Sequence, residues 1–218
     1  MEAYLTMQEI ANDKLSEAGE VLDLEIDKFV VANDVNLIEG EGTRLDKKIS
    51  NGSDLMKYNN DMFLNFFKGQ HESIYLGKAM DANDVSGMEQ GISALESAST
   101  EAMEALNEME AFEGDKEMIE AVREMHKYFI DIAQNDYPAV IDFYLKKDNM
   151  QKLQNAMSAK KKKDVTKEDV AAYNKASQEY NVAVKDINKR IENLNKKRQA
   201  AYKVYNKKKA EFVARHGG

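Results

Sequence analysis

The sequence predicts an all-α protein, an elongated antiparallel bundle of about five or six helices that ends in a very long C-terminal helix. Three observations carry this. From about Thr166 to His216 the chain runs without Gly or Pro, a stretch that would be roughly 70 Å long at 1.5 Å per residue. Tyr180, Val184, Ile187, Ile191, Leu194, Ala201, Tyr205 and Phe212 recur along it in steps that mark a bundle seam. Elsewhere there is one proline, Pro138, and the 11 glycines mostly separate periodic runs. Ala, Glu, Lys, Met and Asn are abundant, and runs of Val, Ile and Thr are short. A lone helix of such length has nothing to bury its apolar stripe against. The rest of the chain must supply partners, within a single elongated domain over 1–218.

Residues 3–31 repeat Leu5, Ile10, Leu15, Leu22, Ile26 and Phe29 near helical spacing. A short second helix is expected over 34–50, with Leu37, Ile38, Leu45 and Ile49. The run Ser50-Asn51-Gly52-Ser53-Asp54 reads as a turn that separates it from the next helix. Residues 55–80 follow, and the crowding of Met62, Phe63, Leu64, Phe66 and Phe67 predicts burial from several sides. Gly69 and Gly77 would let a neighbouring helix approach closely. Ala32-Asn33-Asp34-Val35 recurs as Ala82-Asn83-Asp84-Val85, which suggests duplicated helical hairpins around 3–50 and 55–110 with an Asn or Asp capping the second helix of each.

Residues 85–110 form a return arm, stopped at Gly114, with Asp115 placed to cap the next start. Residues 116–147 read as one long helix. Pro138 falls inside its pattern and predicts a kink near Gln134–Tyr137. The pattern loosens over 148–165, where Lys160-Lys161-Lys162-Lys163 marks an exposed connector. Thr166-Lys167-Glu168-Asp169 then fits a capping box that starts the last helix.

Charge divides the chain. Residues 1–150 carry a net −19 and residues 151–218 a net +11, giving −8 in all. An acidic body along a basic helix gains long-range attraction within the fold. Asp148, Asp164, Glu168 and Asp169 flank the tetralysine, so it reads as a solvated loop and no nucleic-acid partner is expected.

The absence of cysteine removes disulfides and thiolate chemistry. No run of 18 apolar residues exists to span a membrane as a helix. A bundle di-metal site would place a Glu three residues before a His. Lys68 precedes His71 at that spacing and Arg123 precedes His126, so neither fits, and His216 adds no partner. No nucleophile elbow, phosphate loop or dinucleotide fingerprint is present. The sequence singles out no catalytic, cofactor-binding or metal-ligating residue and implies no cofactor. Tyr173, Tyr180, Tyr202 and Tyr205, with Tyr58, Tyr128, Tyr137 and Tyr144 on earlier helices, admit two readings: interhelical packing, or a tyrosine-lined groove for a peptide or small apolar ligand.

Several segments carry a family resemblance. Leu106-Asn107-Glu108-Met109-Glu110-Ala111-Phe112-Glu113-Gly114-Asp115 leads into a helix with Tyr128-Phe129, Asn135-Asp136-Tyr137 and Val140-Ile141-Asp142. The Thr166-Lys167-Glu168-Asp169 start and the ending Ala210-Glu211-Phe212-Val213-Ala214-Arg215-His216-Gly217 complete the pattern. Over about residues 55–216 the chain resembles a family of all-helical surface or periplasmic lipoproteins of Bacteroidetes and spirochaetes. The resemblance implies export and an N-terminal lipidated cysteine. Met1-Glu2-Ala3-Tyr4 shows neither, so the signal and cysteine are expected upstream of residue 1; a chain native from Met1 would be cytoplasmic. The family brings no catalytic residues. The expected function is a non-enzymatic cell-envelope scaffold or interaction protein with a protein or peptide partner, touching membrane only through its lipid anchor. The second reading is an extracytoplasmic ligand-binding or sensor-like helical domain.

Overall fold

The computed structural model describes residues 2–33 and 44–217. Helices α1 (Glu2–Asn33), α2 (Arg44–Asp81), α3 (Val85–Ala105), α4 (Glu117–Asp131), α5 (Tyr137–Ala159) and α6 (Lys167–His216) make up nearly all of it. A π-helical turn, Ile132–Asp136, joins α4 to α5, so these two form one interrupted helix and the described chain has five helical stretches. The fold is all-α, as the periodicity predicts. The chain divides into two compact units, residues 1–50 and 51–218.

The first unit contains α1, which matches the predicted 3–31 closely. Its polar side chains form ion pairs one turn apart, Lys14–Glu17 at 3.1 Å and Lys28–Glu25 at 2.7 Å. Val21, Leu22, Leu24 and Phe29 are exposed. The expected helix over 34–50 lies partly outside the described residues, as does the first copy of the repeat at Asp34-Val35. From Arg44 onward the chain is already in α2.

Helix α2 corrects one expectation. It runs unbroken through Asn51-Gly52. Turn propensity is a local preference of about 1 kcal/mol for a glycine, and burial of Leu55 and Met62 just beyond it outweighs that preference. A second correction concerns the aromatic crowd. Met62, Asn65 and Phe66 are buried, but Phe63 and Ile74 stay exposed, so α2 buries one face and not several.

In the second unit, four helical stretches pack up-down-up-down. Phe66 of α2 stacks on Tyr205 of α6 at 4.7 Å, and Tyr58 lies 5.6 Å from Phe212. Residue numbers therefore rise along α2 as they fall along α6. Phe143 of α5 stacks on Tyr180 at 5.8 Å and Asp131 of α4 accepts from Lys197 at 2.8 Å, which together set α4–α5 antiparallel to α6 as well. The core between them holds Met62, Phe66, Leu95, Val122, Phe129 and Phe212. On α6 the buried line runs through Ala183, Ile187, Tyr205 and Phe212, with Leu194 and Ala201 packed against it. Ile191 projects to one side of this line and is exposed.

The helix ends follow their capping chemistry. Asp84 Oδ1 accepts from Gly87 N–H at 3.0 Å and starts α3. Before it, Asn83 takes φ 56°, a left-handed conformation that Asn tolerates. Helix α3 stops at Ala105, short of the predicted 110. The loop after it turns at Glu113 (φ 51°) and Gly114 (φ 83°). Asp115 Oδ1 accepts from Glu117 N–H at 2.8 Å, as its sequence position predicts. The Thr166 capping box is complete: Thr166 Oγ1 accepts from Asp169 N–H at 3.1 Å, and Asp169 Oδ2 accepts from Thr166 N–H at 2.9 Å.

The kink before Pro138 takes the form of the π turn. Proline has no N–H to offer the carbonyl of residue 134, and Tyr137 N–H instead reaches back five residues to the Ile132 carbonyl.

Close approach occurs at Gly69 but not at Gly77, around which a Cβ would meet nothing within 4 Å. At Gly69 a Cβ would lie 2.6 Å from Phe129 Cδ2 and 2.9 Å from Ser99 Oγ. Gly69→Ala is therefore expected to destabilise the fold by about 1–3 kcal/mol through overpacking, despite alanine's better helix propensity. Gly52→Ala, in open space, is expected to stabilise by about 0.5–1 kcal/mol. Urea unfolding of the two variants checks the opposite signs, and a shift of equal sign in both refutes the assignment.

Candidate functional site

Where α4 and α6 lie side by side, small residues leave a groove. Ala121 and Met125 of α4 and Ala200, Ala201 and Val204 of α6 give it an apolar floor, and Tyr128 and Tyr205 stand beside it. Its volume is about 490 Å³ and it opens to solvent. Val204 is 48% exposed on it. Alanine is a strong helix former, so both helices hold their course while three alanines on the floor set no bulk between them.

One end of the groove is closed by charge. Lys197 Nζ donates across from α6 to Asp131 at 2.8 Å, and also to Asp136 at 2.7 Å. The π turn places Asp136 there, with only 8% of its surface exposed. Hydrogen bonding to Lys197 holds the Asp131 carboxyl below its ordinary range, and the two carboxylates in turn raise Lys197. The Asp131–Lys197 pair is therefore ionised near neutrality. Burial raises the Tyr128 hydroxyl well above its ordinary value, and the hydroxyls of Tyr137 and Tyr202 add to this. Burial pushes Tyr205 up to about 12. Both tyrosines stay neutral; Tyr128 is partly exposed beside the groove, while Tyr205 is buried with its ring stacked on Phe66.

Of the tyrosines, the structure brings Tyr128 and Tyr205 to the groove, with Tyr137 and Tyr202 behind Tyr128. Three others pack elsewhere: Tyr144 donates to the Met80 carbonyl at 3.1 Å, Tyr180 stacks on Phe143, and Tyr58 joins Phe112 and Phe212; Tyr173 is half-buried near the start of α6. Two further grooves are more polar, one between α2 and α3 lined by Glu72, Tyr75 and Gln90, and one beside Asn83, Tyr144 and Lys147.

The three histidines are dispersed. His71 lies 2.8 Å from Glu72 and edge-on to Tyr75. His216, on the last turn of α6, sits 3.1 Å from Glu113 and 3.0 Å from Asp115. Arg215 beside it bonds Asp115 at 2.7 Å and also reaches Glu117. This clasp fastens the end of α6 to the turn before α4. The backbone N–H of Glu117, then His216 and Arg215, draw the Asp115 carboxyl down to about 2. Among the described residues no cluster of His, Asp and Glu has the arrangement to hold a metal ion, and no helix is long and apolar enough to cross a membrane. The tetralysine is exposed, with Lys160 paired to Asp169 at 2.6 Å.

His126 has no exposed surface. Asn65 Nδ2 donates to the Ala102 carbonyl at 3.0 Å, which turns Asn65 Oδ1 toward His126 Nε2 at 3.1 Å. Nε2 must then carry the hydrogen, and Nδ1 is a buried acceptor with no partner among the described residues. Asn65 and the buried Ser99 beside Gly69 escape sequence reasoning, because each is a single polar residue inside an apolar helical pattern.

Comparison with protein-family models, with curated proteins and with solved structures returns no match.

Proposed function

We propose that this chain is a non-enzymatic helical interaction module that receives the apolar side chains of a protein or peptide partner in the α4–α6 groove. The observation that carries this is an apolar groove, open to solvent, with Val204 exposed on it and Tyr128 beside it. Val204, half exposed, has no function in the core. Helices α4 and α6 are held rigidly by the core beneath, so the groove is pre-formed and binding orders little of the receptor. The family resemblance supports a place in the cell envelope, with a lipid anchor upstream of residue 1. Mass spectrometry of the N-terminus from native cells tests that location: a lipidated cysteine is expected, and an unmodified N-terminus at Met1 refutes it.

The groove is tested by panning a displayed peptide library against the protein and counter-selecting on Val204→Glu. Selected peptides should carry apolar residues at helical spacing and bind the variant at least tenfold more weakly. Binders that ignore Val204→Glu, in a variant whose circular dichroism is unchanged, refute the reading. The volume also falls in the range of small-molecule sites; Val204-dependent binding of small apolar compounds, with no peptide selected, would replace the partner by a ligand.

A further inference from the structure

We infer that the occupant of the α4–α6 groove is an amphipathic helix whose apolar stripe is flanked by acidic residues on the edge facing α6 and basic residues on the edge facing α4. This rests on the groove being an interaction site and goes on to name what fills it.

The first argument concerns the backbone. Both walls are helices, whose amides and carbonyls are paired internally along their length. An extended segment laid between them would find no edge to bond to, unlike one that adds to a sheet. A helix satisfies its own backbone and offers side chains at i, i+3, i+4 and i+7. The groove floor runs from Ala121 to Asp131 along α4, about 15 Å at 1.5 Å per residue. That is the length of about three helical turns.

The second argument is the charge on the two rims. Along the outer edge of α6 lie Lys196, Lys203 and Lys207, spaced seven and four residues apart and all exposed. Lys203 makes no ion pair with any described residue, and Lys196 and Lys207 pair only with glutamates of their own helix, Glu192 and Glu211. The α4 rim carries Glu120 and Glu124, both exposed, with one exposed cation, Lys127, between Glu124 and the Asp131 bridge, so it is acidic on balance. The two glutamates too pair only within their helix, with Arg123 and Lys127. Pairs one turn apart on an exposed helix are weak, so these charges are available to a third helix. Since α4 and α6 are antiparallel and Asp131 meets Lys197, Glu120 and Glu124 stand level with Lys203 and Lys207 across the groove. An occupant with like charge on both edges would be attracted at one rim and repelled at the other. A helix acidic on one edge and basic on the other is attracted at both.

Three synthetic peptides of 21 residues test this, with one Leu stripe and edges that are Glu/Lys, Lys/Lys or Glu/Glu. Binding to the full chain is read by fluorescence anisotropy. The Glu/Lys peptide should bind at least tenfold more tightly than the others at low salt, and high salt should narrow the gap. In Lys203→Glu/Lys207→Glu the α6 rim level with Glu120 and Glu124 turns acidic as well, and preference should switch to the Lys/Lys peptide. If the three peptides bind alike and Val204→Glu abolishes them all, the edge assignment is wrong and the groove reading stands. If no peptide depends on Val204, the groove reading fails as well. Sedimentation showing a dimer that Val204→Glu dissociates would make the occupant a second copy of this chain and overturn the proposal.

Discussion

Phe129→Ala is expected to lower the unfolding free energy by about 3–5 kcal/mol, the cost of removing a fully buried aromatic and leaving a cavity. Phe129 is 1% exposed at the centre of the second unit. Its ring lies 6.4 Å from Phe66 and 5.4 Å from Tyr128, and its edge fills the space that Gly69 leaves open. Helices α2 and α4 therefore lose contact with each other at this point. Phe63→Ala provides the comparison, because Phe63 is 37% exposed on the solvent side of α2. Urea unfolding followed by circular dichroism measures both. A loss below 1 kcal/mol at Phe129, or an equal loss at Phe63, would show that the core is not centred where these contacts place it.

Acid should weaken the fold through His126 well before most carboxylates titrate. Burial, with the charge of Lys68 adding to it, lowers this imidazole from 6.5 to about 4, against an opposing hydrogen bond with Asn65. Between those values the unfolded chain binds a proton that the folded chain refuses. The stabilising contribution of neutral His126 is thus complete above about pH 6.5 and is lost as pH falls toward 4. At 1.36 kcal/mol per unit the loss is about 3 kcal/mol. Below that range Asp115 adds a second loss, since its depressed carboxyl must take up a proton. Urea midpoints at pH 7.5, 6, 5 and 4.5 should fall steadily for the native chain. His126→Gln should be less stable at pH 7.5 and much flatter in pH. An unchanged slope in that variant would assign the acid sensitivity to other groups.

The architecture was legible because each helix writes its buried face at a period of 3.6. Capping chemistry was equally plain, since Thr166 with Asp169 and Asp84 with Gly87 act over three residues. Pro138 announced a disturbance, and only the geometry of Tyr137 N–H shows it to be a π turn. Asn51-Gly52 misled because its turn preference is local, while the helix through it is held by the burial of Leu55 and Met62 further along. Ile191 misled for the opposite reason: it has the right spacing, yet it lies to one side of the buried line and is 42% exposed.

The groove was legible in part. Its tyrosines stood out, but Tyr128 and Tyr205 belong to different helices, and periodicity along a helix does not say which neighbour it abuts. Ala121, Ala200 and Ala201 read as helix formers. Their effect at the groove is the volume they leave empty, which has no signature in a single sequence.

The π turn at Ile132–Asp136 also bears on how the chain tolerates a change in its length. It holds one residue more than an α-helix would need to join α4 to α5 with their faces aligned. Each residue turns an α-helix by about 100°. Loss of one residue within 132–136 would remove the extra residue and leave Val140 and Tyr144 directed as they are now, although Pro138 would still deprive the carbonyl one turn before it of a partner. The same loss in α3 would rotate everything beyond it away from its partners. Among the described helices, the π turn is thus a reserve of one residue, set beside the charge bridge that closes the groove.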